Sequence, residues 1–201
     1  MKVSIVDYGA GNLPSVERAL QSLGAETQRA TRPEQLASAY AIVLPGVGHF
    51  AAFVGGLKEK NVIPALRKAY DSGVPILGIC LGLQAMFSSS EEAPGEQGLG
   101  FFPQEIRALP KTVKSPHIGW NQLDRTRTSK LLRGIPEDAY FYFAHSFAAP
   151  SDGNETVAVC NHGVPFAAVI EHRNLCGVQF HPEKSGEVGS RVLRNFLEAA
   201  Q

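Results

Sequence analysis

Short apolar runs alternate with amphipathic stretches through the first half of the chain. Val3 to Val6 reads as a buried strand, and Leu13, Val16, Leu20 and Leu23 follow at helical spacing until Gly24 closes the turn. Tyr40 to Leu44 is a second apolar run, ended by Pro45-Gly46. Val62 to Tyr70 has helical spacing, and Val74 to Ile79 is a third run. Continuous apolar strands separated by helices predict a parallel sheet covered on both faces. From Gln104 onward the signals are for strands with little helix between them: Glu105–Leu109, His117–Leu123, Tyr140–Phe143, Thr156–Cys160, Phe166–Ile170 and Leu175–Phe180. Adjacent segments there are expected to pair antiparallel. Val188, Val192, Leu193, Phe196 and Leu197 form the stripe of a closing helix over Glu187–Ala200, with Ser185 as its cap. The expectation is one α/β domain over residues 1–201, a mixed central sheet flanked by helices. Ser88 to Glu96 is its most linker-like stretch.

Nineteen Lys and Arg balance nineteen Asp and Glu, so the chain lacks the long-range positive field on which general nucleic-acid or anionic-membrane binding relies. No apolar run approaches a membrane span, and the run after Met1-Lys2 is too short for a signal peptide. A soluble, cytoplasmic protein with no nucleic-acid or membrane partner is expected. Cys80, Cys160 and Cys176 are too few and too uneven for a disulfide framework, which leaves the reactivity of each to its surroundings.

Gly78-Ile79-Cys80-Leu81-Gly82 lies where an apolar strand turns into a helical segment through Leu83, Gln84, Met86 and Phe87. A nucleophile on such a tight strand-to-helix turn crowds both elements, which accounts for glycine two residues to either side. The helix start would favour a thiolate, and the Leu81 N–H would face an oxyanion forming on a substrate. By itself the pentapeptide reads equally as a small buried cysteine at a glycine-rich turn.

A base decides between the two. Gln179-Phe180-His181-Pro182-Glu183 ends the apolar strand from Leu175, and an imidazole and a carboxylate two residues apart leave it on the same side. His181 would activate the Cys80 thiol and protonate the leaving amine, with Glu183 fixing its tautomer. Two other readings are weaker. Cys160, His162, His172 and Cys176 make a two-Cys, two-His set, but its spacings are poor zinc signatures and both cysteines fall in strands, so no metal is expected. Gly9-Ala10-Gly11-Asn12-Leu13-Pro14 follows the first strand as a dinucleotide fingerprint would, yet lacks the third glycine and an acidic residue after the second strand.

The cysteine elbow, the His-Pro-Glu turn and Gln84, which completes Gly-x-Cys-x-Gly-x-Gln, resemble the class I (triad) glutamine amidotransferases over most of the chain. More narrowly, Asp7-Tyr8-Gly9-Ala10-Gly11-Asn12, Pro45-Gly46-Val47-Gly48, Pro116-His117-Ile118-Gly119-Trp120-Asn121, Phe143-Ala144-His145-Ser146 and His181-Pro182-Glu183-Lys184-Ser185 resemble the glutaminase subunits of imidazole glycerol phosphate synthase.

The resemblance implies a flavodoxin-like amidotransferase fold and hydrolysis of glutamine through a cysteinyl thioester, with Cys80, His181 and Glu183 catalytic and no cofactor. It implies passage of ammonia to a separate cyclase subunit in histidine biosynthesis, the two forming a heterodimer. It also implies an oxyanion hole from Val47 and Leu81, with the Val47 amide completing it only when the cyclase carries its ligand. Gly46, Gly48, Gln84, His145 and Ser146 would bind glutamine, and Asn12, Trp120, Tyr142 and Lys184 would lie at the cyclase interface and ammonia exit. Two features depart from the pattern. Pro14 sits in the first helical turn, where proline is tolerated, and His49 follows the Pro45–Gly48 segment, where it either tunes the site's pH response or faces solvent.

Overall fold

A computed structural model describes residues 1–200. The first half alternates as β1 (Lys2–Val6), α1 (Leu13–Ser22), β2 (Glu26–Ala30), α2 (Glu34–Ala37), β3 (Ala41–Gly46), α3 (Phe50–Glu59), α4 (Ile63–Asp71) and β4 (Ile76–Cys80). The short helix α5 (Leu81–Gln84) leads into β5 (Phe87–Ser90), β6 (Phe102–Ala108), β7 (His117–Asn121), β8 (Asp124–Arg125), β9 (Phe141–His145) and β10 (Phe147–Ala148). The chain closes with β11 (Thr156–Asn161), β12 (Pro165–His172), β13 (Leu175–Val178), a 3₁₀ turn at Pro182–Lys184 and α6 (Gly186–Ala199).

The main sheet has eight strands in the order β2-β1-β3-β4-β13-β12-β11-β8. The first five are mutually parallel, and the rest pair antiparallel, which is the mixed α/β sheet expected from the change of pattern near Gln104. A three-stranded sheet, β10-β6-β5, and the β7-β9 pair complete the strands. Alternation along the central strands divides the core between two faces. Val3, Ile5, Ala41, Val43, Leu77 and Ile79 pack with Leu13, Val16 and Leu20 of α1 and with Val192, Leu193 and Phe196 of α6. Ile42, Leu44 and Ile76 pack on the other side with Phe50, Phe53 and Leu57 of α3 and Leu66 of α4. Strands buried on both faces account for the unbroken apolar runs.

Several expectations need correction. The helix after Cys80 stops at Gln84, and Phe87–Ser90 is a strand pairing parallel with β6, so Ser88 to Glu96 is no linker. Its serines are held locally: Ser88 Oγ donates to the Pro103 and Gln104 carbonyls and Ser89 Oγ to Glu105. The strand of Tyr40–Leu44 runs on through Pro45 and Gly46, which puts Gly46 in register with Cys80. Ser185 makes no capping bond to α6. Its hydroxyl donates to the His181 carbonyl at 2.7 Å and accepts from the Tyr142 N–H at 3.0 Å, tying the His181 turn to β9. His49 caps α3 instead, its Nδ1 accepting from the Ala51 N–H at 3.2 Å with the side chain at the surface. No helix among the described residues is long and apolar enough to cross a membrane.

Candidate active site

Neighbouring parallel strands β4 and β13, in the middle of the sheet, bring Cys80 and His181 together at their carboxyl ends, with Val178 in register with Ile79 just before each strand turns away. Cys80 sits at φ +52°, ψ −109°, a conformation that costs a non-glycine residue of order 1–3 kcal/mol and persists because its surroundings impose it. Those surroundings are tight. A Cβ on Gly82 would lie 1.7 Å from the Leu44 carbonyl oxygen, and one on Gly78 would lie 2.7 Å from the Leu83 nitrogen, so both elbow glycines are required by close approach.

His181 is buried beside the thiol, and its Nδ1 lies 2.9 Å from Glu183 Oε1, both side chains being almost wholly enclosed. Burial pulls the imidazole down, but hydrogen bonds to Cys80 and Glu183 and the charges of both outweigh it and raise His181 to about 10. Cys80 and Glu183 thus favour the protonated form of His181 beside the sulfur. Cys160 and Cys176 differ. Burial pushes each thiol up to about 12, as befits core residues.

A cavity of about 230 Å³ opens over Cys80. Val47, Gly48, Leu81, Gln84, His145 and Ser146 line it, so six of the residues singled out from the sequence meet around the thiol. Gly46 does not reach it; fully buried, it borders a narrow crevice with Asn12, Val47, His181 and Glu183. Both amide hydrogens of Gln84 are committed, one to the Phe147 carbonyl at 2.7 Å and one to Gln179 Oε1 at 3.1 Å, which leaves its carbonyl for the cavity.

Three residues at the site have no role in the sequence reading. Glu92 is the one charged side chain on the cavity wall, held there by the Phe50 N–H donating to its Oε2 at 2.8 Å. It lies within Ser88 to Glu96, the stretch that looked like a linker. Tyr8, packed against Phe53 at 4.4 Å, donates its hydroxyl proton to the Val47 carbonyl at 2.8 Å and accepts from the Val47 N–H at 3.1 Å. Gln179 directs its Nε2 to Cys80 Sγ at 3.5 Å.

Beyond the cavity, β7 and β9 bury His117, Phe141, Phe143 and His145 on one face and turn Ile118, Trp120 and Tyr142 outward on the other. Trp120 is 55% exposed and meets Tyr142 edge-on at 5.9 Å, while Lys184 Nζ stands 5.7 Å above the Tyr142 ring. Three of the four residues expected at an interface are thus one surface cluster, and Asn12 lies at the start of α1.

A strand-borne cysteine at a strained elbow, a hydrogen-bonded histidine and glutamate just after the adjacent strand and a cavity over the thiol are the arrangement of a thiol enzyme. The family model for class-I glutamine amidotransferases matches residues 4–200, and the chain belongs to that family. Its relatives there include subunit HisH of imidazole glycerol phosphate synthase from Moorella thermoacetica, 45% identical over 98% of this chain and 94% of that protein. The HisH subunit from Methanothermobacter thermautotrophicus is likewise 45% identical, over 98% of each chain. Among solved structures, PurLQS from Thermotoga maritima shares the fold with a TM-score of 0.78 at 19% identity, covering 100% of this chain and 99% of that one.

Proposed function

We propose that the chain is the glutaminase subunit of an imidazole glycerol phosphate synthase, hydrolysing glutamine to glutamate and ammonia and passing the ammonia to a cyclase subunit. The observation that carries this reading is the convergence of Cys80, at the end of β4, with His181 and Glu183, just after β13, the thiol lining a cavity.

Cys80 Sγ attacks the side-chain carbonyl of glutamine, and the tetrahedral adduct collapses to a glutamyl thioester as His181 hands its proton to the departing nitrogen. Water then adds to the thioester with His181 as base, releasing glutamate and the thiolate. Glu92 is suited to the α-ammonium of the substrate, and the Gln84 carbonyl and Ser146 to its remaining polar groups. Leu81, first residue after Cys80, offers its N–H to the oxyanion. Val47 is the second donor, but its N–H is occupied by the Tyr8 hydroxyl, so it serves only after that bond opens. Binding of the cyclase with its ligand is the event assigned to that opening. Tyr8→Phe keeps the ring on Phe53 and removes the hydroxyl; its ligand-free glutaminase rate should rise about threefold to tenfold, the worth of one hydrogen bond. A rate unchanged from the parent would detach Tyr8 and Val47 from the switch.

The outward face of Trp120, Tyr142 and Lys184, with Asn12, is the surface offered to the cyclase. Aromatic side chains backed by a cation are typical anchors of an interface centre. The function is tested by mixing the chain with the cyclase and following product formation from glutamine and, separately, from ammonium salts. Glutamine-driven synthesis is expected, and Lys184→Ala should lower it severalfold while leaving ammonia-driven synthesis intact. Failure of the parent mixture to use glutamine would overturn the assignment.

A further inference from the structure

One carbonyl fixes the direction of a chain of buried hydrogen bonds that ends on the nucleophile. The Phe147 oxygen is approached by Gln84 Nε2 at 2.7 Å and by His145 Nδ1 at 3.0 Å, and because a carbonyl only accepts, both neighbours must donate. Gln84 is thereby oriented, and its other amide hydrogen goes to Gln179 Oε1 at 3.1 Å. Gln179, itself fully buried, is left with its N–H turned to Cys80 Sγ at 3.5 Å. In the other direction His145 carries its proton on Nδ1, so its Nε2 accepts from His117 Nδ1 at 3.1 Å, and His117 Nε2 faces Asn121 Nδ2 at 3.4 Å. Burial pulls His145 down to about 3 and His117 to about 4, which keeps both rings neutral at neutral pH and the direction of the chain unambiguous.

The sulfur is thus an acceptor toward Gln179. The Ala144 carbonyl, which would need a thiol proton, is more distant at 4.0 Å. His181 provides the proton-bearing partner, backed by Glu183, and the other titratable groups around the thiol are Tyr8 and, on the cavity wall, His145 and Glu92. We infer that Gln179 is a positioning residue for the nucleophile: its amide N–H, locked in place through Gln84 and the Phe147 carbonyl, holds Cys80 in the thiolate form and fixes where the sulfur points. The inference rests on Cys80 being the glutaminase nucleophile. A donor bond to an ionised acceptor is about twice as strong as one to a neutral acceptor, so the contact favours thiolate over thiol.

Gln179→Met, of similar length and with no donor, and Gln179→Glu, of the same shape but with an acceptor against the sulfur, test this in the full chain. The rate of Cys80 alkylation by iodoacetamide on the rising limb of its pH profile should fall about tenfold in Gln179→Met and further in Gln179→Glu. The midpoint of the alkylation pH profile should rise by about one pH unit, the equivalent of that tenfold change. In the presence of the cyclase, kcat for glutamine should fall by a similar factor with KM within about twofold. A residue that only fills space would lower the melting temperature without moving the pH midpoint, and a coincident alkylation profile in the folded variants overturns the proposal.

The unaltered chain gives a reading that does not depend on the variants folding. The Gln179 side-chain amide proton, followed by NMR, should shift with pH in step with the parent's alkylation midpoint; a resonance that stays fixed across that range also overturns the proposal. Failure of the underlying assignment looks different, since the parent chain with its cyclase would then turn over no glutamine whatever its alkylation profile.

Discussion

Cys80→Ala is expected to lower glutamine hydrolysis by at least about 10⁴-fold while ammonia-driven synthesis in the assembled enzyme continues at the parent rate. The size follows from the division of labour in the site. Loss of the nucleophile removes the covalent route altogether and leaves only binding and oxyanion contacts, as when one member of a catalytic triad is deleted. The selectivity follows from where the two reactions occur, since added ammonia bypasses every step that involves Cys80. Stability should change by no more than about 1 kcal/mol, because alanine meets the same positive φ as cysteine and the side chain removed is small. Assays with glutamine and with ammonium salts on one preparation check all three statements. Glutamine hydrolysis retained in the variant would remove Cys80 from the mechanism.

Gly82→Ala should be the most damaging single methyl group added to the chain. Its Cβ would stand 1.7 Å from the Leu44 oxygen and 2.8 Å from the Leu44 carbonyl carbon, in a buried central strand that cannot retreat. Insertions of this kind cost about 3 kcal/mol, at the upper end of the range for overpacking, which in a domain of this size lowers the melting temperature by roughly 6–12 °C. Activity should suffer with stability. The elbow has to shift to make room, and a displacement of about 1 Å at a reacting atom costs on the order of 10²-fold in rate. Gly55→Ala is the matched control: Gly55 lies in the exposed face of α3 with nothing near a built Cβ. It should stabilise by up to about 1 kcal/mol through helix propensity. Calorimetry on the pair checks the argument, and equal melting temperatures would refute it.

The parallel half of the sheet was legible because its strands are buried on both sides, so that Ala41 to Leu44 and Ile76 to Ile79 read as unbroken apolar runs. β2 was not legible, since Glu-Thr-Gln-Arg-Ala pairs on one side only and carries polar side chains at the sheet margin. α3 had the required spacing in Phe50, Phe53, Val54 and Leu57, but the two glycines within it hid a helix whose stability comes from packing on the sheet. At the site, Cys80, His181 and Glu183 stood out because such residue types have few other uses at strand ends. Glu92, Tyr8 and Gln179 act through contacts across the chain, Glu92 with Phe50, Tyr8 with Val47 and Gln179 with Cys80, and no local spacing encodes such pairings.

The position of β13 between β4 and β12 has a consequence for how the enzyme is born. Residues 175–178 lie far along the chain from β4, yet they occupy the middle of the eight-stranded sheet. Until they insert, β4 has an open edge and Cys80 has no base beside it. Pairings so distant in sequence are slow to form. Cys80 therefore meets His181 only once this distant strand has inserted, so the thiol is made before it is armed.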